Sequence, residues 1–172
     1  MSFLTKLLGL DQDDTKTAPK AIEAISATLA EVEPDRARFL AAFAYLLARV
    51  AASDGQICGA ESRQMHESLV AVGGCSEEEA VLVVRLAEIQ AKEHGGTQDY
   101  LVTRLLKDMS NKSERAGVIA AMLRVAASDG AVEFSEEEEV RAVARQLGFS
   151  QQEFLQALSQ HRDYRTVLKG ML

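Results

Sequence analysis

A seven-residue string occurs twice in this chain, and no other feature limits the fold as tightly. Arg49-Val50-Ala51-Ala52-Ser53-Asp54-Gly55 recurs unchanged, 75 residues later, as Arg124-Val125-Ala126-Ala127-Ser128-Asp129-Gly130. The correspondence extends outward, pairing Ile57 with Val132, Glu61 with Glu136, Met65 with Val140 and Gly73 with Gly148. Each copy reads as a helix, an Asp-Gly turn, an acidic-started helix, a glycine stop and a further helix. A solenoid needs at least about three units, so two copies predict one pseudo-symmetric helical domain.

Proline use supports helix throughout. Only Pro19 and Pro34 occur, none follows Asp35, and 26 residues are alanine, a pattern that suits helix interiors. Spacing predicts eight helices near 18–32, 35–53, 60–72, 76–94, 98–109, 112–128, 136–147 and 151–161. Ser76 with Glu79, Ser135 with Glu138 and Ser150 with Glu153 read as capping boxes. Pro34 suits a first turn, where a missing N–H costs nothing. Gly73-Gly74, Gly95-Gly96 and Gly148 read as helix stops through positive φ. Phe39, Leu40, Phe43, Leu47 and Val50 form an apolar stripe that predicts core. The expected fold class is all-α, a single bundle of seven to eight helices built from two repeats, about 35–94 and 112–161, within a domain spanning 18–172.

Residues 1–17 read as a short amphipathic segment and linker. Phe3, Leu4, Leu7 and Leu8 share a helical face, followed at once by Asp11, Asp13 and Asp14. There is no basic opening or small-residue cleavage site, so a secretory signal is not expected. The favoured role of this face is to cover the protein's own core, with a partner protein, a dimer mate or a membrane surface as alternatives. No apolar run approaches the roughly 20 residues of a membrane span. Nineteen basic against 26 acidic residues give a net charge of −7, which lacks the basic footprint of nucleic-acid binding. Cys58 and Cys75 belong to no metal or redox motif and are expected reduced, placing the chain in the cytoplasm by default.

With the repeat written out, Ala52-Ser53-Asp54-Gly55-Gln56-Ile57 with Glu61, and Ala127-Ser128-Asp129-Gly130-Ala131-Val132 with Glu136, the chain resembles the TerB family of bacterial tellurite-resistance proteins. It also resembles the related N-terminal domain of a membrane-anchored DnaJ-like co-chaperone. The likeness covers roughly residues 35–161, and the second copy is the better match. The first departs at Cys58-Gly59-Ala60, where an acidic or Ser/Pro helix start is more usual. The resemblance implies an all-helical bundle, a place in stress responses, no established catalysis, and metal binding by acidic residues as a suggestion only.

The residues themselves point to one candidate site. Asp54 and Asp129 end long helices, where the macrodipole disfavours a carboxylate by roughly 0.3–1 kcal/mol. Glu61 and Glu136 follow in the first turn of the next helix, so each turn can gather two carboxylates. Asp, Gly, an aliphatic and Glu fall on fifth, sixth, eighth and twelfth positions of an EF-hand loop. Its first and third positions, however, hold Val50 and Ala52, or Val125 and Ala127. An ordinary EF-hand is excluded, while a weak divalent-cation site using Asp54, Glu61, Asp129 and Glu136 is not. In the favoured reading the aspartates accept N–H bonds across their own turns, the glutamates serve helix N-termini, and Arg49 and Arg124 neutralise them. His66, His94 and His161 show no ligand spacing, and no nucleophile–base arrangement occurs. The expected function is therefore non-catalytic, acting through protein partners, with no cofactor required and a homodimer left open. The alternative is a metal-dependent hydrolase built on both acidic pairs, which requires paired metals about 4 Å apart.

Overall fold

The computed structural model describes residues 19–94, 96–130 and 132–160. These form an all-α fold: α1 (Lys20–Ser26), a 3-10 turn (Ala27–Leu29), α2 (Pro34–Ala51), α3 (Gly59–Ala71), α4 (Glu77–His94), α5 (Asp99–Met109), α6 (Lys112–Ala126), α7 (Phe134–Gln146) and α8 (Gln151–Ser159). The N-terminal segment 1–17 and His161 lie outside the described residues, as do the expectations attached to them. Among the described residues, no helix is long and apolar enough to cross a membrane.

The core is organised on α2, which packs against α1, α3, α4, α5, α6 and α7. The expected stripe is there, and all five of its residues are buried. It is too narrow a description, because Ala41, Ala42, Ala44, Tyr45, Leu46 and Ala48 are fully buried as well. A helix enclosed on every side must be apolar all round, and its alanines let neighbouring helices approach closely. Leu69, Leu106, Met122, Leu123 and Leu147 complete the centre.

Helix ends follow side-chain capping, with three departures from the sequence reading. The single helix foreseen over 18–32 is a short α1 and a 3-10 turn. There the Ser26 and Thr28 hydroxyls donate back to the Glu23 and Ile25 carbonyls at 3.3 and 2.7 Å, which tightens the backbone. Helix α7 starts at Phe134 with Glu133 as its cap, so Ser135 lies inside the helix and caps nothing; the Glu133 N–H goes to Glu136 Oε2 at 2.7 Å. The Ser76/Glu79 and Ser150/Glu153 boxes form as expected.

The third departure concerns the glycines. Gly74, not Gly73, takes the positive φ (69°) at the end of α3, matching Gly148 (90°) after α7. Gly73 is required for space instead: a Cβ there would sit 2.4 Å from the Leu69 carbonyl oxygen and 2.9 Å from Leu40 Cδ2. The first copy thus carries one extra residue at this stop. Beyond it the offset between copies falls from 75 to 74, as the caps Ser76 and Ser150 show.

Candidate functional site

The two Asp-Gly turns have the same local construction. Helix α2 closes with Ser53 N–H to Val50 O and Gly55 N–H to Ala52 O at 3.1 and 3.0 Å. Helix α6 closes with Ser128 N–H to Val125 O and Gly130 N–H to Ala127 O at 3.1 and 3.2 Å. Gly55 and Gly130 then reverse the chain at φ 97° and 112°, backbone that only glycine adopts without strain. Asp54 Oδ1 accepts the Gln56 N–H at 2.9 Å, the cross-turn bond foreseen for it. Glu61 and Glu136 occupy the third position of α3 and α7, and each accepts the N–H of its own cap residue, Cys58 at 2.6 Å and Glu133 at 2.7 Å. Cys58, which breaks the motif in sequence, serves as a cap: its Sγ receives the Glu61 N–H at 3.5 Å.

These contacts bury both glutamates, leaving Glu61 5% and Glu136 4% exposed. The fold also brings the two turns within electrostatic reach of each other. Burial raises the Glu136 carboxyl to about 8, the Glu133 N–H opposes this, and the charges of Glu61, Asp129 and Asp54 add to the rise. Glu61 is raised too, by burial first, with Asp54 and Asp129 contributing against the stabilising contacts of Cys58. The charges of the four sequence-predicted carboxylates thus bear on one another across the two turns, a region called here the acidic joint. At matching places beside it, the Ser53 and Ser128 hydroxyls are buried without a hydrogen-bond partner.

As a cation site the joint is incomplete. Its donors are hard oxygens of the kind magnesium and calcium prefer, and the two orphaned hydroxyls add neutral ones. Val50 and Val125, at the first EF-hand position, are fully buried in the core and offer no side-chain ligand. One oxygen of each glutamate is already taken by a cap. Among the described residues, no three His, Cys, Asp or Glu side chains stand in a metal-holding group. Proton retention by Glu136 relieves the crowding of charge without a metal. The hydrolase alternative gains no support, since nothing here seats paired metals.

A second polar cluster went unrecognised in the sequence. Arg49, expected to neutralise Asp54, instead donates to both oxygens of Asp99 at 3.0 Å. Tyr45 donates its hydroxyl to Asp99 Oδ1 at 3.0 Å. Burial, then the Asp99 charge, raises Glu139 of α7 beside this group. The available signal was the i, i+4 pair Tyr45 and Arg49 within the otherwise apolar stretch 39–51, since buried polar groups demand partners. Cys58 is an exposed free thiol, and Cys75 is buried and free. His66 pairs with Glu77, and His94 contacts Gln90 in the last turn of α4.

No match was found among curated proteins or among solved structures. A family model described as tellurite resistance protein TerB matches residues 39–159. Its span runs from within α2 to the end of α8 and takes in both copies of the motif and the whole acidic joint. The chain belongs to the TerB family.

Proposed function

We propose that this protein is a non-catalytic, stress-response module of the tellurite-resistance type, working in the cytoplasm through contacts with other proteins. The observation that carries this reading is Phe134. It is 70% exposed, the highest value among the exposed large apolar residues described, and it opens α7 two residues before Glu136. Leaving a phenylalanine in water forfeits roughly 2 kcal/mol of burial, and a partner surface recovers it. The exposed carboxylates of Glu133 and Glu138 on the same helix end favour a partner that sets basic groups around an apolar pocket. In the same reading the joint takes up a divalent cation only weakly.

Two experiments test this. A photoreactive residue placed at 134 in cells is expected to give a discrete protein adduct that a residue at exposed Glu31 does not; equal yields from both positions defeat the partner reading. Calorimetric titration with calcium, magnesium and zinc is expected to show no micromolar heat. A micromolar signal abolished by Asp54→Asn with Asp129→Asn makes the joint a metal sensor instead.

A further inference from the structure

Helix α4 packs on α1, α2, α3 and the 3-10 turn, and these contacts bury Ala80, Val83, Val84, Ala87 and Ala91. Its outer side carries Glu78, Val81, Leu82, Arg85, Ile89 and Lys92, all exposed among the described residues. At 3.6 residues per turn these six share an arc of about 100°. Five of them, at 78, 82, 85, 89 and 92, keep the alternating spacing of four and three that makes a helix–helix seam. Val81, Leu82 and Ile89 are 52%, 54% and 45% exposed, so the seam is apolar along much of its length.

We propose that two molecules of this protein associate through α4, antiparallel, about a two-fold axis passing between Val81 and Leu82. The charges on the seam select this arrangement. Glu78 stands three residues before Val81, and Arg85 stands three residues after Leu82. Among the described residues, neither has an ion-pair partner within its own chain. About the proposed axis Val81 meets Leu82 of the partner subunit, and Arg85 meets Glu78 of the partner subunit. Two-fold symmetry makes each of these contacts twice. A parallel pairing sets Arg85 against Arg85 and Glu78 against Glu78. An antiparallel pairing centred on residue 85 brings the two arginines together on the axis. Both alternatives juxtapose like charges, which costs several kcal/mol in an interface. Ile89 lies one turn beyond the ion pair and extends the apolar contact toward the start of the facing helix. Each subunit contributes one helix about 27 Å long, a contact small enough to give a weak, reversible dimer.

The test is sedimentation velocity on the full chain. Between about 5 μM and about 1 mM, monomer is expected to pass into dimer. Glu78→Arg and Arg85→Glu each turn both ion pairs into like-charge pairs, and each is expected to weaken association at least about tenfold. Combining the two restores opposite charges in swapped positions and is expected to return the affinity to within about threefold of the wild type. Leu82→Glu sets two carboxylates beside the axis and is expected to leave a monomer. Every altered side chain is exposed, so far-ultraviolet spectra are expected to match throughout. A chain that stays monomeric to about 1 mM overturns the proposal. So does a dimer indifferent to the single reversals, or a double reversal that associates no more tightly than either single one.

Discussion

At the scale of single residues, burial rather than spacing sets the chemistry of the acidic joint. Glu136 holds its proton to about 8 in the fold, against an ordinary 4.5, and the neutral form is the one the folded chain favours. Between pH 4.5 and 8 the native state therefore binds more protons than the unfolded chain at this group. Its contribution is fully present below pH 4.5 and is lost as pH rises toward 8, amounting to a few kcal/mol at roughly 1.4 kcal/mol per pH unit. Glu136→Gln keeps an acceptor for the Glu133 N–H and removes the titration. Thermal melts in chelator-treated buffer are expected to show the wild type losing stability from pH 5 to pH 8.5, while the variant's curve is flatter and crosses above it. Parallel curves refute this account. Cys58 gives a second residue-scale prediction. Its sulfur is a weak acceptor for the Glu61 N–H, so Cys58→Ser is expected to stabilise the chain by up to about 1 kcal/mol in urea denaturation. A loss on that substitution means that the thiol contributes through packing instead.

Between elements, one ionic contact ties the start of α5 to α2. Asp99 opens α5 and accepts from Tyr45 and Arg49 of α2, with Arg49 and Asp99 side chains only 14% and 19% exposed. Removing one partner leaves a largely buried charge unpaired. Asp99→Ala is accordingly expected to cost about 3 kcal/mol. Hydrogen exchange is expected to quicken in α5 before α6; uniform quickening contradicts a local tie. This contact also marks where sequence reading reached its limit. Helices were legible because proline, glycine and cap residues act within a few positions of themselves. The Asp54 turn and the N-terminal roles of Glu61 and Glu136 were legible for the same reason. The Arg49–Asp99 pair joins residues 50 apart, and only the packing of α5 on α2 chooses between Asp54 and Asp99. The Gly73/Gly74 slip was hidden likewise, because it depends on Leu40 of another helix closing over Gly73.

For the whole molecule, the two sequence copies do not correspond to two separable bodies. Helix α2 belongs to the first copy, yet it packs on α5, α6 and α7 as well as on α1, α3 and α4. Helix α3 of the first copy also packs on α6 of the second. The acidic joint exists only where the copies meet, so its residues could be named in sequence while their convergence could not. A core shared in this way predicts one cooperative unfolding transition. Leu46, fully buried in α2, provides the means to test it. Leu46→Ala removes three carbons from the common core and is expected to cost about 2–5 kcal/mol. The chain has no tryptophan, so Phe39→Trp and Phe154→Trp, made separately, report on the first and second copies by fluorescence. Both reporters are expected to give the same urea midpoint, and Leu46→Ala to lower the two midpoints equally. If the Phe154 reporter holds its midpoint while the Phe39 reporter falls, the second copy folds by itself. The central role assigned to α2 then fails.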